Sequence, residues 1–266
     1  MDEAVFGVFQ ERAEHLTFSS MNYLDFEDCV NAAVLCDSDG FILLHDTSKT
    51  PAMLYFAADD FGRVVDAIAG LPGGLRLHFV PRAYAERLTA LGFMEWCEWA
   101  DYWNMDLAGT AARLPAALPF DFLRPAEYAG AAALSQRCRL QSRGFEGETA
   151  EWFAEWNQAN CTLVRREGAV LAGFCCVSVY NEGTTLWVRE IAVDPPRQGK
   201  GIGKELLAQA IRYGIEHGAV KAFLAADVLN HAAIGLYEKF GFRAKGGESE
   251  LQMVREANQC LYRTKQ

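Results

Sequence analysis

Residues 191–207 have the sequence Ile-Ala-Val-Asp-Pro-Pro-Arg-Gln-Gly-Lys-Gly-Ile-Gly-Lys-Glu-Leu-Leu and change character twice. The β-branched residues before Pro195 predict a buried strand, which ends there because proline cannot donate a ladder hydrogen bond. After Gly203, apolar residues recur at helical spacing to about His217, so a helix is expected. A glycine-rich loop therefore leads from a strand into the N-terminus of a helix, where exposed amide N–H groups favour an anion.

The composition of this loop predicts a pyrophosphate site. Glycines let the backbone approach a ligand closely, and basic side chains stand around them: Gly199, Gly201, Gly203, Arg197, Lys200 and Lys204. The Walker pattern does not fit, because Glu205 stands where Ser or Thr is needed. The dinucleotide fingerprint does not fit either, since Lys204 or Leu206 occupies the place of its third glycine.

The pattern that does fit is Gln-x-x-Gly-x-Gly, formed by Gln198, Gly201 and Gly203. Together with the Ile-Ala-Val-Asp-Pro strand end before it and the amphipathic helix after it, this block resembles the acetyl-coenzyme A signature of the GNAT N-acetyltransferase superfamily. A second block, Asn230-x-x-Ala-x-x-Leu-Tyr-Glu-Lys-Phe-Gly-Phe242, resembles the segment that follows strand five in that family. The two blocks stand in the family's order, and they predict an α/β protein with the mixed sheet of the GNAT acyl-CoA N-acyltransferase fold.

The resemblance implies an acyltransferase that moves an acetyl group from acetyl-CoA directly to an amine. In GNAT enzymes strand four splays from strand five, which frees a backbone N–H to face the thioester carbonyl. By resemblance this donor falls at Ile191, Ala192 or Val193. The amides from Gln198 to Lys204, including Ile202, would hold the pyrophosphate.

Side-chain roles follow from the same resemblance. Tyr237 matches the family's general acid for the thiolate, and the alternative is a tyrosine that packs a helix on the sheet. Asn230 matches a polar residue that contacts the pantetheine arm or the tyrosine, and the alternative is a helix N-cap. Glu190 on the central strand is the candidate general base, with Glu182 or a water chain as alternatives.

The first half of the chain is interpreted as a degenerate copy of the second. A hairpin, strand, helix and strand are predicted between residues 31 and 79, and Tyr84–Phe93 repeats the helix that ends in Gly-Phe. After Ala57, however, Asp59 and Asp60 stand in place of the glycine pattern, and carboxylates would repel a pyrophosphate. The chain thus resembles tandem GNAT proteins with one active half, although a coincidence of two strands would give the same pattern.

The small, Pro-containing stretch Ala108–Pro119 is predicted to be a linker. We therefore expect a degenerate GNAT-like domain at residues 1–118 and a GNAT N-acetyltransferase domain at residues 119–266. The aromatic stretch 94–107 before the linker fits strands between the two halves. It also fits an aromatic wall of the acceptor pocket, where ring faces would suit a cation.

Composition narrows the class of protein. Hydrophobic residues make up 51 %, no run of 18 apolar residues occurs, and the N-terminus is acidic, so a cytoplasmic protein without a membrane segment is expected. The eight cysteines include no Cys-x-x-Cys pair, which favours buried thiols in a reducing compartment over disulfides or a metal site.

Charge is distributed unevenly along the chain. Residues 1–118 carry 18 acidic and 7 basic side chains, whereas residues 119–266 carry 17 acidic and 18 basic side chains. This argues against a nucleic-acid-binding face in the first half. It fits either a solvated acidic surface or a field that attracts a cationic substrate such as a polyamine or an amino sugar.

The predicted acceptor is the primary amine of a small molecule. A protein or peptide N-acetyltransferase and a non-catalytic CoA-binding regulatory module are the alternatives. The motifs do not specify the acceptor, because the acceptor side of this fold lies outside them. Acyl chain length and oligomeric state are likewise left open by the sequence.

Overall fold

A computed structural model describes residues 1–22, 24–115 and 119–257 of the chain. Its contacts divide the chain into two compact units. Unit 1 comprises Met1–Glu98 together with the chain after Glu248, and unit 2 comprises Trp99–Glu248. Unit 1 is therefore discontinuous in sequence.

Unit 2 is built on a mixed sheet with the strand order β7-β8-β9-β10-β6. Its strands are β6 (Met94–Asn104, from Trp99 onward), β7 (Cys161–Glu167), β8 (Val170–Tyr180), β9 (Thr185–Val193) and β10 (Lys221–Asp227). All neighbours are antiparallel except β9 and β10, which are parallel. Strands β7 and β8 form a hairpin across Glu167 and Gly168.

Helices cover both faces of this sheet. They are α5 (Leu107–Ala111), α6 (Tyr128–Cys138), α7 (Ala150–Ala159), α8 (Ile202–Glu216) and α9 (His231–Lys239). Residues of α8 and α9 share one apolar cluster with Cys175 and Val177 of β8. Residues of α6 and α7 share another with Phe174 and Cys176, because successive side chains of a strand point to opposite faces.

Two glycines set the distance between α8 and the sheet. A Cβ atom on Gly173 would lie 2.8 Å from the carbonyl oxygen of Ala192 and 3.0 Å from Leu206 Cδ1. A Cβ atom on Gly214 would lie 2.9 Å from Leu186 Cδ2. Helix α8 thus packs on β8 and β9 more closely than any larger residue would allow, and this fixes where its N-terminus lies relative to the end of β9.

Unit 1 repeats this topology. Its strands are β1 (Phe18–Ser19), β2 (Ala33–Ser38), β3 (Phe41–Asp46), β4 (Ala52–Ala58), β5 (Leu75–Val80) and β11 (Arg243–Arg255, from Ser249 onward), and its helices are α1 (Glu3–Ala13), α2 (Phe26–Cys29), α3 (Phe61–Ile68) and α4 (Ala85–Ala90). The order β2-β3-β4-β5-β11 has the same sequence of antiparallel and parallel neighbours as unit 2. The predicted internal repeat is therefore present at the level of topology.

The division into units differs from the boundary expected between residues 118 and 119. Strand β6 follows α4 in the chain, yet its residues 99–104 pair with β10, whereas Leu251–Arg255 pair with β5. Each sheet is completed by the strand that follows the last helix of the other unit. Periodicity within a segment carries no information on such an exchange, so the sequence pattern could not show it.

The predicted linker Ala108–Pro119 begins inside a helix. Asp106 caps α5 by accepting from the N–H of Gly109 at 2.8 Å, and the small residues that suggested a linker include good helix formers. Arg212 of α8 donates to the carbonyl of Pro115 at 2.7 Å. Residues 116–118 lie outside the described part of the chain. After them, Phe122 forms an isolated bridge with Leu163 of β7.

Candidate active site

Strands β9 and β10 separate beyond their first residues. Their parallel pairing ends at Trp187 and Phe223, although β9 continues to Val193 and β10 to Asp227. A V-shaped opening therefore lies between the carboxyl ends of two central strands. The splayed strands expected from the family resemblance are present in unit 2.

The orientation of the β9 backbone at this opening follows from one hydrogen bond. The N–H of Asp194 donates to the carbonyl of Ala172 at 2.9 Å, so it points toward β8. Because N–H directions alternate along a strand, the N–H groups of Ile191 and Val193 point toward the opening, and that of Ala192 points toward β8. Two of the three predicted donors thus have the orientation that a ligand in the opening would require.

A β-bulge interrupts β9 just before these residues. The register with β8 passes from Cys176 opposite Glu190 to Val177 opposite Val188, which leaves Arg189 as the extra residue. A bulge turns two successive side chains to the same face of the sheet. Arg189 and Glu190 accordingly both face α6 and α7.

The glycine loop after β9 has the backbone that its sequence predicts. Gly199 and Gly201 adopt φ angles of +74° and +85°, a left-handed region that favours glycine. Gly201 is the N-cap of α8. A Cβ atom on either glycine would meet nothing within 4 Å among the described residues, so these positions require glycine for backbone conformation and leave open space in front of the loop.

Two side chains of the loop bind back to the protein. The guanidinium of Arg197, predicted as a cation beside the pyrophosphate, pairs with Asp194 and with Glu167 at 3.1 Å. Its charge is thereby offset by carboxylates. Gln198 donates from Nε2 to the carbonyl of Val193 at 2.9 Å, which ties the loop to the end of β9.

The first turn of α8 offers mainly its backbone. Ile202 is buried in the apolar cluster of this face. A Cβ atom on Gly203 would make ordinary contacts with Leu236 and Val193, so α9 and the end of β9 lie beside it. The exposed Lys200 and Lys204 carry the remaining predicted charges.

A cationic cavity of about 340 Å³ lies beside this turn. Three basic residues line it, namely Lys204 of α8, Lys239 of α9 and Arg113. The rest of the lining comprises Thr110, Leu114, Leu236 and Phe240. Neither Arg113 nor Lys239 was expected at the site, because Arg113 lies in the predicted linker and Lys239 lies in the motif from which only Asn230 and Tyr237 were assigned roles.

Glu190 is a buried carboxylate with one oxygen unpaired. Its side chain is 8 % exposed, and Oε1 accepts a hydrogen bond from Ser135 Oγ at 3.0 Å. Oε2 is buried without a hydrogen-bond partner among the described residues. Burial first, and then repulsion from Glu148, raise the pKa of Glu190 to about 7, against the lowering effects of Ser135 and Arg189.

Tyr237 lies in α9, and its side chain is buried beside the opening. Its ring centroid lies 6.2 Å from that of Phe242. Burial first, and then the proximity of the Cys175 thiol, raise the pKa of Tyr237, so its phenol carries its proton at neutral pH. Asn230 caps the same helix, and its Oδ1 accepts from the N–H of Ala233 at 3.2 Å.

Aromatic side chains line the face of the sheet that Glu190 shares. Trp152 and Trp156 of α7 stack with ring centroids 5.3 Å apart, and Trp187 of β9 lies 5.8 Å from Trp156. Trp103 of β6 lies 5.0 Å from Phe223. The aromatic stretch around residues 94–107 thus contributes to this face, and α7 adds to it.

The loop between α6 and α7 is fastened to the end of β10. The backbone N–H and Nε of Arg143 donate to Asp227 Oδ2 at 3.1 and 3.0 Å, and Nη2 donates to Oδ1 at 2.6 Å. Asp227 is buried. This bidentate pair holds the loop over the carboxyl end of the strand that forms one side of the opening.

Within residues 1–22, 24–115 and 119–257, no helix is long and apolar enough to cross a membrane. The same ranges contain no group of three or more His, Cys, Asp or Glu residues placed to hold a metal ion.

Residues 130–242, which contain the loop, the opening and Glu190, match the model of the acetyltransferase (GNAT) family. Residues 130–242 therefore belong to the GNAT family. Streptothricin acetyltransferase of Streptomyces lavendulae is 35 % identical over 94 residues, which are 35 % of this chain and 50 % of that protein. Mycothiol acetyltransferase of Paenarthrobacter aurescens is 30 % identical over 204 residues, or 68 % of this chain and 61 % of that protein.

Among solved structures, a tandem GNAT protein from the clavulanic acid biosynthesis pathway superposes with a TM-score of 0.60 at 16 % identity, covering 97 % of each chain. At that identity the likeness concerns the fold. The chain therefore shares the fold of a known tandem protein. It spans less than two thirds of the length of the two curated relatives.

Proposed function

We propose that unit 2 transfers an acetyl group from acetyl-CoA directly to the amine of an acceptor molecule. The observation that carries this proposal is the opening between β9 and β10, which leads to the glycine loop at the N-terminus of α8. A pantetheine arm in the opening would place its pyrophosphate at the loop. Backbone amides and the helix dipole favour that anion there.

The coenzyme would be held by backbone donors and by cations. The amides from Gly199 to Lys204 would face the proposed pyrophosphate, whereas the N–H of Gln198 donates to the carbonyl of Pro195 at 3.3 Å. The cavity lined by Lys204, Lys239 and Arg113 suits further phosphate charge. The N–H groups of Ile191 and Val193 would donate to the thioester carbonyl. Such donors stabilise the negative charge that develops on this oxygen in the tetrahedral intermediate.

The remaining chemistry is proton transfer. The amine nitrogen must lose a proton before it attacks the thioester carbon, and the unpaired Oε2 of Glu190 can accept it, directly or through water. As the C–S bond breaks, the thiolate of coenzyme A takes a proton, for which we propose the Tyr237 phenol as donor. The side-chain oxygen of Asn230 accepts the helix-cap hydrogen bond. We therefore propose that the side-chain NH2 group of Asn230 faces the coenzyme.

The acceptor is proposed to be a small molecule with a primary amine. Carboxylates and indole rings share the face of the sheet next to Glu190, and both suit a cationic amine. The names of the two relatives contain different molecules, streptothricin and mycothiol, so neither name identifies the acceptor of this chain. A cytoplasmic location is part of the proposal and is consistent with the free thiols of the described cysteines.

The experiment is a coenzyme A release assay with acetyl-CoA and a panel of polyamines, amino sugars and basic peptides. Glu190→Gln is expected to lower kcat/KM roughly 100-fold or more, because general base catalysis contributes about that much. Tyr237→Phe is expected to lower kcat while the affinity for acetyl-CoA stays unchanged. Binding of acetyl-CoA without release for any amine would instead indicate a non-catalytic coenzyme-binding module.

A further inference from the structure

Four residues form a ring of polar contacts beside the opening. Ser135 Oγ donates to Glu190 Oε1 at 3.0 Å, and the backbone N–H of Glu148 donates to Ser135 Oγ at 2.9 Å. Arg189 Nη1 donates to Glu148 Oε1 at 2.8 Å and lies 3.9 Å from Glu190 Oε2. We call Ser135, Glu148, Arg189 and Glu190 the carboxylate ring.

Ser135 determines which carboxylate oxygen of Glu190 is left without a hydrogen bond. Its side chain is fully buried, and a hydroxyl has one proton to donate. Because Ser135 Oγ already accepts from the N–H of Glu148, its proton is directed to Glu190 Oε1. Oε2 is thereby left as the oxygen that can exchange a proton.

Arg189 is held away from that oxygen. Its guanidinium carbon lies 4.1 Å from the ring centroid of Trp152, in cation–π geometry, and its Nη1 binds Glu148. The separation of 3.9 Å from Glu190 Oε2 is too long for a hydrogen bond. The β-bulge turns Arg189 and Glu190 to the same face, so without Trp152 and Glu148 the two side chains would pair directly.

The position of Glu148 is itself fixed from two sides. Its backbone binds Ser135 of α6, and the loop that carries it is fastened to β10 by the pair of Arg143 with Asp227. The loop therefore presents a carboxylate at a set distance from Arg189 and Glu190.

On this basis, and resting on the proposed role of Glu190 as general base, we propose that Glu148 and Arg189 are positioning residues. Glu148 raises the proton affinity of Glu190, and Arg189 lowers it, so the two residues have opposite effects on proton transfer from the acceptor. Glu148 repels the ionised form of Glu190 and withholds Arg189 from it, whereas Arg189 attracts that form.

Three thiols among the described residues also interact with Glu190. Cys138 faces it from α6, and Cys175 and Cys176 stand on the neighbouring strand β8. Burial raises the pKa of Cys138 to about 11 and those of Cys175 and Cys176 well above the usual thiol value. These thiols stay neutral through the pH range in which Glu190 titrates, which leaves Glu148 and Arg189 as the charges that act on it.

The test is the dependence of kcat/KM on pH in the full-length protein. Glu148→Gln keeps the backbone N–H that orients Ser135, removes the repulsion and frees Arg189, so the acidic limb should move to lower pH by about one unit. Arg189→Met should move the limb to higher pH by a similar amount. Glu127→Gln, which breaks an ion pair with Arg166 at 2.6 Å elsewhere in unit 2, is the matched control and should move it in neither direction.

A second readout does not require turnover. Carbon-13 resonances of glutamate carboxyl groups, with Glu190 assigned through Glu190→Gln, give its titration midpoint in each variant. Opposite shifts in Glu148→Gln and Arg189→Met support the inference, and equal or absent shifts overturn it. If the midpoints shift as expected but the acidic limb of the rate profile does not, Glu148 and Arg189 control the pKa of Glu190, but the role of Glu190 as base fails, and the positioning role that rests on it fails too.

Discussion

Units 1 and 2 share a strand order, but their central openings differ. In unit 2 the opening between β9 and β10 begins after Trp187 and Phe223. In unit 1 the parallel pairing of β4 with β5 ends at Leu54 and Leu77, and β1 then pairs with the free edge of β4. The chain of unit 1 thus occupies the place that a coenzyme arm would need.

Residues 18–20 pack closely in the opening of unit 1. The N–H of Ser20 donates to the carbonyl of Phe56 at 2.9 Å, and the N–H of Phe56 donates to Ser20 Oγ at 2.9 Å. The ring of Phe18 lies 6.1 Å from that of Phe61 and 6.3 Å from that of Tyr84. Backbone groups that could face a ligand are therefore bonded to residues 18–20.

Two further differences accompany this filling. The N-terminus of α3 is capped by Asp60, whose Oδ1 accepts from the N–H of Gly62 at 2.8 Å, so a carboxylate stands where unit 2 has its glycine loop. Strand β4 pairs with β3 in regular register and has no counterpart of the bulge at Arg189. Unit 2 thus combines an open strand edge, a free helix end and a bulge, and the described residues of unit 1 have none of the three. We propose that these differences restrict the coenzyme site to unit 2.

The largest expected effect concerns the glycine loop. Gly201→Glu should weaken acetyl-CoA binding at least roughly 100-fold, about 3 kcal/mol, because it strains the backbone and sets a carboxylate against the pyrophosphate. Gly73→Glu in unit 1 is the matched control, since Gly73 has the same φ of +85° and its Cβ would also meet nothing within 4 Å among the described residues. Calorimetric titration should give one site per wild-type chain and per Gly73→Glu chain. Two sites per wild-type chain would contradict the comparison, because unit 1 would then bind the coenzyme as well.

An intermediate effect concerns Glu190, the carboxylate that unit 2 buries at its opening. At the corresponding place in unit 1, after the last parallel pair of β4, stand Tyr55, Phe56 and Ala57. Since the folded pKa of Glu190 is raised from 4.5 to about 7, the folded state gains stability from the bound proton below about pH 4.5 and loses it as pH rises through 7. Glu190→Gln removes this dependence.

Chemical denaturation at a series of pH values measures the effect. The stability of Glu190→Gln relative to wild type should increase between about pH 4.5 and 7 and reach up to about 3 kcal/mol above that range. A pH-independent difference would show that Glu190 titrates in the folded protein as it does in the unfolded chain.

The smallest expected effect concerns the filled opening of unit 1. Ser20→Ala leaves the buried N–H of Phe56 without its partner and should cost about 1–3 kcal/mol of unfolding free energy. Ser38→Ala at an exposed position of β2 is the control and should cost less than about 0.5 kcal/mol. Coenzyme stoichiometry should stay at one in Ser20→Ala, and a second binding event would mean that β1 alone keeps the coenzyme out of unit 1.

The sequence predicted the parts of the site that local patterns determine. The strand that ends before Pro195, the glycine loop and the helix that follows are all present, because each depends on residues adjacent in the chain. Gly241 likewise ends α9 with φ of +84°, as its motif indicates.

Contacts between distant segments could not be predicted in this way. Nothing near Glu190 in sequence indicates that Ser135 and Glu148 meet its two sides, or that Arg113 reaches the cavity beside Lys204. Gly173 of β8 and Gly214 of α8 also drew no prediction, because each is required by a contact between the helix and the sheet, which are distant in sequence. Such roles depend on tertiary packing, which a single sequence does not state.

The exchange of strands has a practical consequence for dissecting this protein. Residues 99–104 of β6 bond along β10 and cover its outer edge, so a fragment that begins at residue 119 would lack them. A central strand would then present a row of unpaired N–H and C=O groups, which invites edge-to-edge aggregation. A fragment of residues 99–248 keeps that edge covered and is the better starting point for crystallisation or acceptor screening.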